Sequence, residues 1–261
     1  MKKKLRNKQL HYWETIWMLA KTDLKMRYEG SFLGIIWVFL KPFSIFLVLN
    51  YVFSSIFHSS TPNYSIKLLI GLILWSFFQE ATTNGMTSLV NKSAILKKIF
   101  VPKWVIIISS TIHSGIAFLF NIVILFIFLI GYYHIYPKPL YILVFIYYVI
   151  LVYGLSVTFS FIAAPLYVRI RDLNQVWEVL LQVLFFGSPI FYPITFVPIP
   201  VRSVLYANPM TYIIEHSRFA LVDNSITHFD HHIIFLCIFI PCFAASILIL
   251  KKLSRNLIEQ L

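Results

Sequence analysis

The fold is decided by residues 11–57, HYWETIWMLAKTDLKMRYEGSFLGIIWVFLKPFSIFLVLNYVFSSIF, in which the hydrophobic pattern changes part-way. Before Gly30, large apolar side chains recur at the three- and four-residue steps of an amphipathic helix, at Trp13, Trp17, Ala20 and Leu24. The charged side chains of this segment are predicted to point elsewhere: Lys21, Asp23, Lys25 and Arg27. An apolar run of membrane length follows only after Gly30, whereas a signal peptide would place its apolar run directly behind Lys2–Lys8. The stretch therefore predicts an amphipathic helix along a membrane, followed at once by a first span.

The composition is that of an integral membrane protein. Of the 261 residues, 59% are hydrophobic and 12% are charged, and a typical soluble domain has about twice that charged fraction. Because about 20 apolar residues cross a bilayer as a helix, we predict an all-α membrane protein with six spans: Phe32–Phe57, Ile66–Val90, Trp104–Tyr133, Leu140–Tyr167, Gln175–Tyr192 and Ile233–Leu250. Residues 1–30 would hold a basic tail, Met1–Lys8, and the amphipathic helix, and residues 31–261 would form the six-span domain.

Lysine and arginine are distributed unevenly between the predicted loops. With the N-terminus inside, the inner segments hold 17 of the 22 Lys and Arg residues and the outer segments hold four. Because basic residues are retained on the cytoplasmic side of membrane proteins, both termini are predicted to be cytoplasmic. The same rule accounts for the net charge of +12 without a nucleic-acid partner.

The segment after the fifth span is broken by five prolines, from Pro189 to Pro209. It is too apolar for a solvated loop and too interrupted for a span. Non-helical backbone at membrane depth persists only where it is buried in protein or lines a cavity. We predict two short re-entrant helices in the outer leaflet, one before and one after Asn208-Pro209. The alternative is an external hairpin packed on the bundle.

Two predicted cytoplasmic loops have features of a contact surface. The segment Ser93–Pro102 mixes apolar and basic side chains and ends at a proline, which indicates a short helix presented to a partner: Ser93, Ala94, Ile95, Leu96, Lys97, Lys98, Ile99, Phe100 and Pro102. A plain connector whose lysines only set the orientation is the alternative. The other loop contains Arg169, Arg171 and Asp172. Asp172 is placed to cap the fifth span, and the two arginines would face water or a partner.

Polar groups within the spans identify candidates for a passage. Ionisable side chains at membrane depth are costly and face protein or water, and Glu80 is the deepest of them in the second span. Aromatic side chains can stack on sugars, although a lipid-facing belt explains many of them, and uncharged polar groups can instead join helices by hydrogen bonds. The candidate channel and exit residues are Asn50, Tyr51, Trp75, Phe78, Glu80, Gln182, Tyr192, Glu215 and Arg218.

Catalytic and metal-binding motifs are absent from the sequence. There is no G-x-x-x-x-G-K-[ST], so the chain does not bind ATP through a P-loop. H-E-x-x-H and C-x-x-C are also absent. We therefore predict no metal site and no cofactor in this chain.

Four stretches resemble one family of membrane proteins: KTDLKMRYEGSFLGIIWVFLKP (21–42), LIGLILWSFFQEATTNGMTSLVNKSAILKKIFVPK (69–103), VRIRDLNQVWEVLLQVLFFGSPIFYP (168–193) and ANPMTYIIEHSRFAL (207–221). In style and order they are similar to the permease subunit of ABC-2 type exporters of cell-surface polysaccharides, the O-antigen, teichoic-acid and capsule group. The resemblance covers much of the chain from Trp13 to about Leu221.

The resemblance implies a homodimeric permease that is not itself an enzyme. It would move a lipid-linked polysaccharide, O-antigen first of all, across the cytoplasmic (inner) membrane for lipopolysaccharide biosynthesis, through a pore that spans one and five line. Two copies of a separate ATP-binding subunit would hold ATP and Mg. Ser93–Pro102 would be the coupling helix in a groove of that subunit, Trp13–Tyr28 the interface helix beside it, and Arg169–Asp172 would lie near the same contact.

Three alternatives stay open on the sequence. A teichoic-acid or capsule exporter and a drug or lipid exporter would share the same architecture. A membrane-embedded glycan-processing enzyme would need acidic or histidine side chains at one membrane face. The nearest candidates for such a cluster are Glu215, His216, Arg218 and Asp223.

Overall fold

The computed structural model describes residues 2–57, 61–98, 101–226 and 229–254, and for residues 2–11, 28, 35 and 229–231 it describes the backbone alone. Its helices are, in chain order, α1 (Lys2–Tyr28), α2 (Trp37–Phe57), α3 (Tyr64–Asn91), α4 (Ser93–Lys98), α5 (Lys103–Ile127), α6 (Pro139–Arg169), α7 (Leu173–Phe186), α8 (Ile199–Tyr206), α9 (Pro209–Leu221) and α10 (Phe229–Leu253). A π-helical turn over Phe128–Tyr132 continues α5.

The described residues confirm an all-α membrane protein. Five helices are long and apolar enough to cross a bilayer, namely α2, α3, α5, α6 and α10. The apolar helix α7, with 14 residues, stands where the fifth span was predicted. At about 1.5 Å per residue it reaches about 21 Å, less than the hydrocarbon thickness of about 30 Å. Within the described ranges, the structure therefore has five helices of spanning length and, at the position of the predicted fifth span, one shorter apolar helix.

The central helix of the bundle is α3. It packs against α2, α5, α6, α7 and α9, and 72% of its most apolar window is buried, against 11% for α2 and for α10. Close approach to α6 requires the absence of a side chain at Gly85, since a Cβ there would lie 2.6 Å from the Cβ of Ser160. Helices α2, α7 and α10 lie at the periphery of the bundle, and few of their described side chains are buried in the single chain.

The N-terminal segment differs from the prediction in two ways. Helix α1 begins at Lys2, so the backbone of the predicted basic tail is helical in this structure. The first span begins at Trp37, five residues later than predicted. The reason is that Gly30 and Gly34 have φ angles of 78° and 50°, which glycine adopts without steric cost. These two residues turn the chain from α1 into α2.

Helices α8 and α9 are the two short helices predicted around Asn208-Pro209. Asn208 begins α9: its Oδ1 accepts a hydrogen bond from the backbone N–H of Met210 at 3.0 Å, and its Nδ2 donates to Oγ of Ser188 at 2.8 Å. Pro209 occupies the first turn, where a missing N–H costs nothing. The amide of Asn208 therefore fastens α9 to the segment that follows α7. The end of the bundle that holds α4 and the last turn of α10 is called the α4 end, and the opposite end, which holds α9, is called the α9 end.

Candidate functional site

Helix α1 lies on α5 at the α4 end of the bundle. Its packed face is formed by Ile16 and Ala20, which are 3% and 0% exposed. Trp13 and Trp17 are 60% and 52% exposed, so these two predicted interface residues lie on the outer side of α1 and not against α5. Indole rings suit a membrane–water interface, because they present an apolar body together with an N–H donor. The face of α1 that packs on α5 is rotated toward Asp23, although the sequence pattern placed Asp23 on a different side of the helix from Ala20.

Asp23 ties α1 to the junction of three other helices. Its Oδ2 lies 2.5 Å from Nζ of Lys92, which is 3.0 Å from Oγ of Ser109 and 3.0 Å from Oγ of Ser110. Lys92 is the residue between α3 and α4, and both serines belong to α5. Burial lowers the pKa of the Lys92 ammonium, and the hydrogen bond and charge of Asp23 raise it in part. One cation thus connects α1, α3, α4 and α5.

A second ion pair joins α1 to the middle of α3. Arg27 Nη1 contacts Glu80 Oε1, with side chains that are 36% and 29% exposed. Glu80 precedes Lys92 by 12 residues, which is about 18 Å along the helix. The C-terminal end of α1 therefore lies beside the middle of α3, although a helix with so many charged residues would be expected to stay at the membrane surface. Glu80, a predicted channel residue, is the ion-pair partner of the predicted interface helix.

Helix α4 is anchored to the bundle by one apolar side chain. Leu96 is 7% exposed and packs with Leu89, Ile106 and Leu250. Leu96, predicted on the helix surface presented to a partner, therefore faces the bundle, and Ile95 is half-buried. A set of three residues is exposed on α4: Ala94, Lys97 and Lys98. Ile99 and Phe100 of the same prediction lie outside the described residues, and Ser93 and Pro102 bracket the segment as half-buried residues.

The turn between α6 and α7 is exposed at Arg169, Arg171 and Asp172. Asp172 occupies the N-cap position of α7, but its backbone is already helical and its side chain makes no capping hydrogen bond. The predicted cap was therefore wrong. The guanidinium of Arg171 lies 5.5 Å from the centroid of the Tyr167 ring, a cation–π distance. All three side chains stay accessible from the side where α6 ends.

Polar side chains form an exposed stripe on each of two spanning segments. On α2 the stripe consists of Lys41, Ser44, Tyr51 and Ser55, and on α7 it consists of Gln175, Glu178 and Gln182. Steps of three, four and seven residues place each set on one face of its helix. Polar groups at membrane depth face protein or a water-filled cavity rather than lipid. The two stripes are therefore the surfaces of this chain that are suited to lining an aqueous passage.

The predicted channel residues fall into two groups. Tyr51, 86% exposed, and Gln182 lie on the stripes. Trp75 and Phe78 are 4% and 8% exposed and pack against α7, with Phe78 and Trp177 ring centroids 6.3 Å apart. Their side chains belong to the core of the chain, so their assignment to a passage wall is corrected.

Two further channel candidates lie beside the exposed faces of α2 and α7. Asn50 is half-buried, and its Oδ1 is buried without a hydrogen-bond partner among the described residues. Tyr192 is half-buried and donates a hydrogen bond of 3.2 Å to the carbonyl of Phe186. That bond holds the chain after α7 against the end of the helix.

Glu215 and Arg218 hold the α9 end together. Arg218 is 6% exposed, and its guanidinium donates to Oε1 of Glu215 and to the carbonyls of Lys67, Pro189 and Ile190 at 2.6–2.8 Å. A planar guanidinium suits this set of diverging acceptors. These residues, predicted at an exit, instead join α3, α9 and the chain after α7. Within the described residues, no group of three or more His, Cys, Asp or Glu side chains is placed to hold a metal ion.

A family model described as ABC-2 type transporter matches residues 14–222. The chain belongs to the ABC-2 type transporter family. The matched region includes α1 from residue 14, both ion pairs, α4, the two polar stripes and α9. It ends before α10.

Individual relatives of the family are similar over most of the chain. The O-antigen export system permease protein RfbA of Klebsiella pneumoniae is 27% identical over 215 residues, 81% of each chain. The protein of the same name from Myxococcus xanthus is 29% identical over 199 residues, 74% of each chain. The polysialic acid transport protein KpsM of Escherichia coli is 23% identical over 218 residues, 82% of this chain and 83% of the relative.

Sequence reasoning missed two parts of these surfaces. Lys92 is one of the basic residues of the inner segments, and nothing in its local sequence indicates Asp23 as its partner. Glu178 lies in the predicted fifth span at steps of three and four residues from Gln175 and Gln182, and this spacing is the signal that places the three side chains on one helical face. Ser109 and Ser110 carry no signal in the sequence, because only the packing of α5 against Lys92 reveals their role.

Proposed function

We propose that the chain is the membrane-spanning permease subunit of an ATP-driven exporter for a cell-surface polysaccharide, with O-antigen as the cargo. The observation that carries the proposal is the similarity to O-antigen export permeases over about four fifths of both chains. The polar stripes on α2 and α7 support it, since a hydrated polymer needs a polar wall across the bilayer.

The proposed placement is the cytoplasmic (inner) membrane with both termini in the cytoplasm. The excess of Lys and Arg on the segments at the α4 end supports this orientation. The α4 end then faces the cytoplasm, and the α9 end, with α8 and α9, faces outward. Under this orientation, α1, α4 and the turn at Arg169–Asp172 share the cytoplasmic side.

ATP binding and hydrolysis belong, in this proposal, to a separate ABC subunit that uses Mg and docks on α4. The exposed residues Ala94, Lys97 and Lys98 would meet its groove, and Leu96 would transmit its displacement into the bundle. Lys92 is joined covalently to α4 and by hydrogen bonds to α1 and α5. A movement of α4 therefore cannot leave α1 and α5 unaffected.

Two copies of this chain, with two ATPase subunits, complete the proposed transporter. The exposed apolar face of α7 offers a contact for the second copy: Val176, Val179, Val183 and Phe186. The polar stripe Gln175–Gln182 lies beside that face on the same helix. In a two-fold symmetric dimer that buries this apolar face, the α7 stripes of the two copies would lie close together and line a shared passage for the lipid-linked glycan.

Capsule export is the second candidate, because the chain is also similar to a polysialic acid transport protein. Teichoic-acid export and drug or lipid export have no comparable support among the observed features. The glycan-processing enzyme is disfavoured by geometry. Glu215 and Arg218 are buried against each other and against backbone carbonyls, and Asp223 is paired with Lys67 at 2.9 Å.

Deletion of the gene tests the proposal directly. In a strain without a second copy, surface glycan is expected to disappear and lipid-linked polymer to accumulate inside, as measured by electrophoresis of surface glycan and by mass spectrometry of extracted lipids. Restoring the gene should reverse both effects. Unchanged surface glycan would contradict the proposed function.

Docking of the ATPase on α4 needs its own test. Ala94→Trp changes an exposed residue of α4 and should abolish ATPase stimulation in the reconstituted complex. Ala244→Trp, at an exposed position on α10, is the matched control and should leave stimulation intact. Full stimulation in the Ala94 variant would remove α4 from the docking surface.

A further inference from the structure

A long apolar groove runs along the outside of the bundle between α5, α6 and α10. It encloses about 590 Å³, and side chains such as Ile108, Val157, Phe243 and Ile247 form its walls. Among the described residues that line it, Lys251 alone carries a charge. The volume is within the range of cavities that hold small organic ligands. A groove of this kind can take up hydrocarbon but offers no partner for a polar molecule along its length.

A second pocket with a different character adjoins the groove at the α4 end. This pocket encloses about 520 Å³ and shares Trp104, Leu250 and Lys251 with the groove, so the two lie next to each other and together form the cavity considered below. A set of four lysines lines the pocket: Lys97, Lys98, Lys103 and Lys251. Its described lining contains no acidic residue. Four cations around one space, without a carboxylate among them, are complementary to an anion.

The length of the groove matches one leaflet of a bilayer. Along α6 the lining extends from Ile150 to Phe161, and along α10 it extends from Phe239 to Lys251. These 11 and 12 residue steps correspond to about 16–18 Å of helix, close to half of the hydrocarbon thickness of about 30 Å. The lysines stand at the α4 end of the groove, where an interface with water and headgroups begins.

We propose that this cavity is a binding site for an anionic phospholipid, with one acyl chain in the groove and the headgroup phosphate among the lysines. Basic pockets between helices on the cytoplasmic side of a membrane suit anionic headgroups. The lipid is a component of the bilayer rather than the exported cargo, because no residue of α2 or α7 lines either part of the cavity. The polar stripes therefore do not face it.

The bound lipid would contact the segment that meets the ATPase. Lys97 and Lys98 belong to α4, while Lys103 begins α5 and donates a hydrogen bond to the carbonyl oxygen of Ser254 after α10. A phosphate among these lysines offsets their mutual repulsion and holds α4 against α5 and α10. The site itself rests only on the membrane placement of the bundle. Its effect on ATP hydrolysis rests on the proposed function.

Binding is tested on the purified full-length protein in nanodiscs. Phosphatidylglycerol and phosphatidylcholine with identical acyl chains are the probes, and native mass spectrometry after release counts the lipids retained. Phosphatidylglycerol should be retained preferentially. Each lysine near an anionic lipid contributes about fivefold in affinity, so Lys251→Gln should weaken retention about fivefold and Lys103→Gln with Lys251→Gln about 25-fold. Lys252→Gln removes an adjacent exposed charge that lines neither part of the cavity, and it should retain lipid like the wild type.

A groove-filling variant tests the acyl-chain part separately. Ile247→Trp introduces bulk into the groove and should reduce retention of phosphatidylglycerol, whereas Leu248→Trp, at an exposed neighbouring position outside the lining, should not. Both tryptophan variants keep every lysine, so the comparison remains informative if a lysine variant misfolds. Equal retention of the two phospholipids, equal behaviour of the two tryptophan variants, or recovery of a polyprenyl diphosphate lipid in the cavity would each overturn the proposal. None of these results depends on glycan export.

Discussion

Asp23 and Lys92 form an ion pair of 2.5 Å between residues that are 69 positions apart, with side chains that are 19% and 9% exposed. Because Lys92 lies between α3 and α4 and also binds two serines of α5, the pair fixes the position of α1 relative to both helices. Loss of one partner from a buried pair leaves an uncompensated charge, which costs about 3–5 kcal/mol.

Asp23→Asn is therefore expected to lower the stability of the chain by about 3 kcal/mol and to reduce coupling between ATP hydrolysis and export. The measurements are thermal unfolding and the ratio of transported glycan to hydrolysed ATP. The matched control is Lys25→Gln, which removes the exposed 3.8 Å pair with Glu29 and should change stability by less than about 0.5 kcal/mol. Equal effects of both variants would show that the Asp23 pair has no special role.

The polar stripe on α7 is tested by Gln182→Leu. If the stripe lines a passage, export should fall about fivefold, since one hydrogen bond to the moving polymer is worth about 1 kcal/mol, while assembly and thermal stability are retained. Ile240→Leu, at an exposed position of α10 away from both stripes, is the control and should leave export unchanged. Unchanged export together with higher stability in the Gln182 variant would mean that this residue faces lipid.

Arg218 is expected to act through structure rather than by contact with cargo. Arg218→Lys keeps the charge but cannot reach the carbonyls of Lys67, Pro189 and Ile190 together with Glu215, so unfolding should become easier by about 3 kcal/mol or more. Arg202→Lys, whose two hydrogen bonds are made at a more exposed site, should cost less than about 1 kcal/mol. A stably folded Arg218→Lys protein with altered export would restore the exit role.

Gly85 is expected to tolerate no side chain. A Cβ there would lie 2.6 Å from the Cβ of Ser160 and 3.0 Å from Cγ2 of Thr111, so Gly85→Ala should separate α3 from α5 and α6 at a cost of about 1–3 kcal/mol. At Gly115 a Cβ would meet nothing within 4 Å. Gly115→Ala is therefore the control and should leave the thermal unfolding temperature unchanged or slightly higher.

Much of the fold followed from local pattern. The spans were predictable because hydrocarbon accepts only long apolar helices, and the short fifth span was visible in the prolines that follow it. The break around Asn208-Pro209 was predictable because the side chain and the ring act on their own neighbouring backbone. For these features the physical cause lies within a few residues of its effect.

The faces of helices and the partners of charges were not predictable in the same way. The spacing of Trp13 and Trp17 correctly indicated a helix, but it did not show that Ile16 and Ala20 form the side packed on α5, because in a membrane protein an apolar face can turn toward lipid as readily as toward the core. Asp172 had the right residue type for a cap, but the preceding turn places its backbone in a helical conformation before its side chain can act.

Hydropathy and charge were enough to specify an all-α membrane protein with a basic, amphipathic N-terminal helix, since insertion into a bilayer depends on each segment by itself. Only the tertiary structure decided that Asp23 meets Lys92, that Glu80 meets Arg27 and that Glu215 and Arg218 brace the α9 end. Glu215 and Arg218 are neighbours on α9, and packing decided only that the carbonyls of Lys67, Pro189 and Ile190 surround the guanidinium. The other two pairs join residues 69 and 53 positions apart, and they form because α1 packs on α5, which in turn packs on α3. Pairing at such distances is a property of the assembled bundle and not of any one of its segments.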